Sequence, residues 1–408
     1  MRRHRLPWTV IALGLTSLLN DVGSEMAFPL LPLFLTETLR AGPGFVGLVE
    51  GAAETVSNFL KLLTGFWTDR VRRRTPLVAG GYAVAALGRP FLGLATLPWH
   101  ALAVRVVDRV GKGVRTAPRD VLIAEAAGPG QAGRAFGFHR AMDHAGAVIG
   151  PLLAAALLAA GLETRSVLLL TVVPGLLAVA AVLTVREGRA ETPAPSAAPA
   201  GTRTGATADE GPVPTPAARP ALPRPYFGYL GILLLFSLGN STDAFLLLRA
   251  RDLGLSAAAI PILWAVLHVA KMAAAYYGGT LADRASPARV IVGGWGVYML
   301  VYLGLAAAGE PWQVWALFVL YGLYYGLTEP AEKVLVRAMA PVEARGRAFG
   351  LYHFTLGASA LPASLLTAWL WRSLGAPAAL TLCAALAGAA SVLLLAWQGR
   401  ARRGGLVS

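Results

Sequence analysis

The chain alternates long apolar runs with short polar breaks, and the breaks carry most of its charge. A helix needs about 20 mostly apolar residues to cross a bilayer. Runs of that kind fall at roughly 8–35, 45–68, 76–97, 100–121, 135–160 and 166–185. After a gap they resume at roughly 226–248, 257–281, 288–308, 312–336, 347–370 and 376–398. The pattern predicts twelve spanning helices. The first run is long enough to contain a break near Pro29 and Pro32, since proline removes a helix hydrogen bond. The gap, 186–224, is rich in Ala, Pro, Thr and Gly and holds too little apolar surface to fold, so it reads as a disordered linker.

The two halves repeat one another. Gly133-Arg134-Ala135-Phe136-Gly137 returns as Gly346-Arg347-Ala348-Phe349-Gly350, and Gly65-x-x-x-Asp69-Arg70 returns as Gly279-x-x-x-Asp283-Arg284. Both pairs are separated by about the same interval, roughly 213 residues. A duplicated block of spanning helices is a mark of secondary transporters. The chain therefore divides into a first bundle at 1–185, the linker at 186–224 and a second bundle at 225–408. The expected fold is an all-α integral membrane protein with two pseudo-symmetric six-helix bundles.

Composition supports this reading. Hydrophobic residues make up 56% of the 408 and charged residues only 14%, too little polar surface for a soluble domain. The net charge of +14 does not point to nucleic acid, because the basic residues cluster in the loops on one side. That side carries Arg2, Arg3, Arg5, Arg70, Arg72, Arg73, Arg74, Arg134, Arg284, Arg345 and Arg347, whereas the other holds few. The positive-inside rule then places both termini in the cytoplasm, consistent with an even number of spans. The expected location is the inner, cytoplasmic membrane, with the bilayer as partner and a monomeric state. Met1 to Arg5 with the following apolar run reads as the first span and not as a removed leader. Cys383 is the single cysteine. No nucleophile elbow, metal-ligand cluster or nucleotide loop appears, so neither an enzyme, a cofactor nor a bound metal is expected.

Gly65-Phe66-Trp67-Thr68-Asp69-Arg70-Val71-Arg72-Arg73-Arg74 resembles the GxxxDRxGRR loop signature of the major facilitator superfamily, with Arg72 in place of the second glycine. The weaker copy at Gly279, Asp283 and Arg284 falls between helices eight and nine, where that family carries it. The resemblance covers essentially the whole chain. It implies that Gly65, Asp69, Arg70, Arg73 and their counterparts gate the cytoplasmic end and hold the outward-facing state. Gly146-Ala147-Val148-Ile149-Gly150-Pro151 resembles the helix-five GxxxGP element of the family's antiporter branches. Its glycines permit close helix approach and its proline bends the helix. Arg109-x-x-x-Gly113 partly resembles the helix-four RxxxG element of proton-coupled members, with Val114 and Arg115 replacing the usual small residues.

Ionisable groups at bilayer depth are costly, about 2.5–3.5 kcal/mol each on insertion scales, and so are candidate functional groups. Asp21 and Glu25 lie i, i+4 on one face of the first span. Two such carboxylates disfavour double ionisation, which suits a proton-coupling role. Glu54, Asp108 and Asp143 are further coupling candidates. Arg105, Arg109 and Lys112 share one broad face of span four, and a lipid-facing position is excluded for them. With Asn240, Asp243, His268, Lys271 and Glu329 from the second half, they are the candidate cavity residues. The second half is less charged and richer in aromatics, which places coupling mainly in the first. The expected activity is alternating-access transport of a small organic solute coupled to protons, with export of an amphipathic compound preferred. The basic span four supports an alternative, an anionic metabolite or siderophore-like cargo. A membrane receptor or scaffold is the alternative of another class.

Overall fold

A computed structural model describes residues 6–31, 34–41, 43–187, 220–240, 243–255 and 259–403. Among them the secondary structure is helical. In the first half, α1 is Trp8–Ala27, α2 Pro43–Thr68, α3 Thr75–Gly88, α4 Pro98–Ala126 and α5 Ala132–Ala159. Helix α6 comes in two pieces, Thr164–Leu170 and Val172–Leu183. The second half repeats the plan. Helix α7 is again in two pieces, Arg224–Gly239 and Ala244–Asp252, followed by α8 Ala259–Arg284, α9 Pro287–Ala307, α10 Pro311–Met339, α11 Arg345–Leu374 and α12 Ala376–Arg403. The linker expected at 186–224 falls mostly outside the described residues.

The departures from straight spans have local causes. The first span does not run to Leu35: α1 stops at Ala27, and a short π-helical turn covers Phe34–Thr38. Helix α3 tightens to a 3-10 coil over Arg89–Leu94, because Pro90 has no N–H to continue the α-ladder. Pro174 breaks α6 at Thr171 in the same way. Helix α7 ends at Gly239, and the Tyr298 hydroxyl donates to the Gly239 carbonyl at 2.6 Å. That bond satisfies a carbonyl released by the break.

Six described helical stretches are long and apolar enough to cross a membrane by composition alone: α3 with its 3-10 extension, α5, α6, α9, α11 with its leading turn, and α12. Of the others, α7 falls short because it is split into pieces of 16 and 9 residues, while α1, α4 and α10 carry buried polar or charged groups such as Asn20, Asp120 and Glu332. The outer surface remains apolar, with Leu152, Leu177, Leu300 and Trp369 exposed, as a lipid-facing surface requires.

Within each half the helices pack as one bundle. Helix α1 lies along α5 and α6, and α4 along α2 and α3; α10 lies along α8 and α9, and α12 along α7 and α9. Between the halves, α5 packs on α8 and α2 on α11. The second bundle is held by stacked aromatics, Phe236 on Trp295 at 4.4 Å and Tyr298 on Tyr302 at 4.0 Å. Most of the aromatic residues of this half are therefore packing groups, and only a few reach the centre.

Candidate functional site

The two repeated sequence blocks fit into each other across the bundle interface. The Asp69 carboxylate at the end of α2 accepts hydrogen bonds from the backbone N–H of Gly346 (2.6 Å) and Arg347 (3.1 Å), which open α11. The Arg347 guanidinium adds a third bond at 2.9 Å. Its counterpart Asp283, at the end of α8, accepts from the N–H of Gly133 (2.6 Å) and Arg134 (2.7 Å), which open α5. Each aspartate of one half thus caps a helix of the other, where free N–H groups and the helix dipole favour an anion. The glycines allow the approach. A Cβ on Gly279 would overlap the Gly133 carbonyl, and one on Gly65 would lie 2.6 Å from the Gly346 carbonyl. Both contacts are far inside van der Waals distance. The arginines of the motif play a different part from the aspartates: Arg70, Arg73 and Arg284 are exposed, and it is Arg74 that pairs, with Glu125 at 2.7 Å.

Beyond this closed end lies a cavity of about 340 Å³ between the bundles. Of the candidates from sequence, it brings together Asp21, Glu25, Arg109, Lys112, Asp143, Asn240 and Glu329. It does not bring in Arg105, Asp108, Glu54, Asp243, His268 or Lys271. Asp108 and Arg105 instead face Arg89, which the sequence did not single out. Arg89 donates to Asp108 at 2.8 Å, and its other contacts reach the Asn20 carbonyl (3.2 Å) and side chain (3.3 Å). Asp108 therefore ties α4 to the end of α3 and, through Arg89, to α1, while Arg105 pairs with Asp108 at 3.6 Å on its own helix. Glu54 is held 3.7 Å from Lys61 and 3.8 Å from Arg109. Asp243 is occupied within the second bundle by Lys271 (3.5 Å) and the hydroxyls of Tyr321 (2.8 Å) and Tyr325 (3.0 Å). The Lys271 ammonium lies 3.5 Å from the centre of the Tyr325 ring, a cation–π contact. His268 packs against His144 from the other bundle, with ring centres 5.7 Å apart.

The floor of the cavity is a set of ion pairs between the bundles. Arg140 of α5 grips Glu329 of α10 through two bonds, one of them 2.6 Å, and also reaches Asp143 at 3.0 Å. The Ser17 hydroxyl of α1 donates to Asp143. Asp120 of α4 is fully buried and meets Lys333 of α10 (3.0 Å), His353 of α11 (2.7 Å) and Arg119 (3.1 Å). The candidates from sequence did not include Asp120, Lys333 or His353. Which charges would pair across the bundles was not contained in the sequence pattern.

Asp21 and Glu25 stand apart from these networks. Among the described residues, no cation approaches either carboxylate within the 4.0 Å of an ion pair. The Asn20 amide donates to Asp21 at 2.9 Å. Behind them is the glycine-rich element of α5. A Cβ on Gly146 would meet the Leu18 carbonyl at 2.6 Å and Asp21 Cβ at 2.8 Å; one on Gly150 would meet the Val22 carbonyl at 2.6 Å and Glu25 Cβ at 2.8 Å. Pro151 follows inside the helix. The element seats α1 so that both carboxylates face the cavity. Gly146→Ala should push α1 outward and cost about 1–3 kcal/mol of overpacking, read as a lower melting temperature of the purified protein. An unchanged melting temperature would contradict this packing.

Known proteins share both the sequence and the fold. A sequence profile described as Major Facilitator Superfamily matches residues 13–331 and 230–406. An uncharacterized MFS-type transporter of Methanocaldococcus jannaschii is 32% identical over 376 residues, covering 90% of each chain. A multidrug resistance protein, MdtH, of Photorhabdus laumondii is 32% identical over 142 residues, 35% of each chain. Among solved structures, the human organic anion transporter MFSD10 superposes with a TM-score of 0.75 at 18% identity, covering 95% of this chain and 99% of that one. Two bundles joined by reciprocal aspartate caps around a central polar cavity thus coincide with relatedness along nearly the whole length: this chain belongs to the major facilitator superfamily and is a multi-pass membrane transporter of small molecules, not an enzyme.

Proposed function

We propose that the protein is a proton-coupled secondary transporter that exports a small charged organic solute by alternating access. The observation that carries this reading is the pair Asp21 and Glu25, which face the central cavity with no cation in ion-pair range among the described residues, while most other charges around it are paired. Carboxylates in that position are free to take a proton or a substrate group in turn. The lining also bears on the cargo. Charged side chains dominate it, and Phe236 and Leu356 are its few apolar members apart from the tyrosines. Such walls suit a hydrophilic solute with an anionic group better than an amphipathic compound, because an apolar ligand would strip water from these charges without replacing it. Export is supported by the partial likeness to a multidrug resistance protein.

The motif-bearing end, which also carries the chain termini, is read as cytoplasmic from its arginines. The capped and closed arrangement is then the outward-facing state. Asp69→Asn together with Asp283→Asn should weaken both caps and shift the population toward an open cytoplasmic end. A cysteine in place of Ala282, which is buried against Gly133 across the α5–α8 contact, should become more reactive to a water-soluble maleimide in that variant. Unchanged labelling would contradict the role of the caps.

The test of the function itself is proton movement. Vesicles with a trapped pH indicator should show proton flux triggered by addition of transported solutes. Solute movement without proton flux would remove the coupling.

A further inference from the structure

The cavity holds unpaired charge of both signs on facing helices. On α1, Asp21 and Glu25 have no cation within ion-pair distance among the described residues. On α4, Lys112 is in the corresponding position. Each of the other lining cations is engaged. Lys61 is held by Asn58 (2.8 Å) and Glu54, and Arg109 by Glu54 and Asp108 (3.5 Å). Arg115 donates to the Gly81 carbonyl at 3.3 Å and stacks on Tyr82. Arg119, Arg140 and Lys333 belong to the floor. No carboxylate lies within ion-pair distance of the Lys112 ammonium among the described residues, although it lines the same cavity as Asp21 and Glu25. The fold therefore keeps an acid and a base apart across a space it could have closed with an ion pair. The lining contributed by the second bundle includes Asn240 and Tyr324, hydrogen-bonded to each other at 3.1 Å, and Glu332, whose carboxylate accepts from the Tyr352 hydroxyl at 2.7 Å.

We infer that the solute is dipolar: it carries a cationic group that meets Asp21 and Glu25 and, a few bonds away, an anionic group that meets Lys112. A ligand of this kind satisfies both sides at once. A simple anion leaves the α1 carboxylates without a partner, and a simple cation leaves Lys112 without one, each carrying the cost of an unpaired charge in a confined site. The cationic group would compete with protons for the same carboxylates, which supplies the exchange that antiport needs. The inference rests on the transporter reading above and specifies its cargo.

The test uses the full-length purified protein in detergent at pH 7. The probes are glycine, β-alanine, 4-aminobutanoate and 6-aminohexanoate, compared with butanoate and butylamine, and thermal stabilisation reports binding. The expected result is that at least one dipolar compound binds roughly tenfold or more tightly than butanoate and butylamine, the scale of a charged hydrogen bond. Lys112→Gln and Glu25→Gln should each abolish that advantage. Lys112 has no ion-pair partner among the described residues to strand, so its variant should melt close to wild type without ligand, and lost binding is then not lost folding. Butanoate binding as tightly as the best dipolar compound, and equally well to Asp21→Asn, would overturn the inference in favour of an anion site. Butylamine binding as tightly, and equally well to Lys112→Gln, would overturn it in favour of a cation site. Stabilisation by no member of the series would also overturn it. None of these failures touches the transporter reading, which stands or falls on proton-linked motion of the bundles whatever the cargo.

Discussion

The double variant Asp21→Asn, Glu25→Gln should abolish proton-driven transport while leaving the fold intact. Both carboxylates face the cavity and neither anchors a cation, so neutralising them strands no partner charge. The cost of an ionisable group at this depth is removed instead, and the melting temperature should hold or rise. Transport down a solute gradient should persist only at solute concentrations high enough to offset the lost contacts to the cationic group, since the reciprocal caps and the floor are untouched. Accumulation against a gradient should vanish, because no group remains whose charge changes with each cycle. Either single variant should retain part of the pH dependence if the two sites share a proton, as carboxylates one helical turn apart do. Undiminished proton-driven flux in the double variant would move coupling elsewhere, with Asp143 and its Ser17 bond next in line.

A second large effect is expected at the floor. Asp120 is fully buried and holds Arg119, Lys333 and His353 around it, from helices of both bundles. Asp120→Ala leaves two permanent cations facing each other without an anion. Breaking a buried pair by removing one partner costs about 3–5 kcal/mol. The loss should appear as a marked fall in melting temperature, larger than for any of the cavity variants above. Lys333→Met added to Asp120→Ala should restore part of it by removing one of the stranded charges. The same ion pairs connect α4 to α10 and α11, so the variant should also weaken the closed end. A melting temperature like that of wild type would show that the floor is solvated and holds little. No recovery in the double variant would show that Asp120 acts through something other than its charge.

Much of the architecture was legible in the chain. Apolar runs gave the spans, and two repeated blocks gave the duplication. What the repeats do to each other was not legible. Gly133 and Gly346 look equivalent in sequence, yet Asp69 caps the helix beginning near Gly346 and Asp283 the one near Gly133. That crossing is a tertiary choice, made because the two halves close on one another about a pseudo-twofold axis. The charges of α4 show a second limit. Arg105, Asp108, Arg109 and Lys112 fall on one broad face by helical spacing, but the width of that face conceals a division. Arg105 and Asp108 turn toward Arg89, while Arg109 and Lys112 reach the cavity. The deciding residue, Arg89, sits in an apolar stretch next to a proline and gave no periodic signal. Asp243 and Lys271 were read as cavity groups for the same reason: polarity within a span marks an inward face, but not whether a neighbouring tyrosine has already taken the charge.

The central claim is that protonation in this cavity moves the bundles between two arrangements. It can be measured directly by double electron–electron resonance between spin labels on Arg72 and Glu343, both exposed and on opposite sides of the α2–α11 contact, with the buried Cys383 replaced by Ser. The account predicts a short distance in one population and a longer one in another. Their ratio should shift between pH 5.5 and pH 8 in the otherwise native protein and stay fixed in the Asp21→Asn, Glu25→Gln variant. A single distance that does not respond to pH, or a pH response that persists unchanged in the double variant, would contradict it.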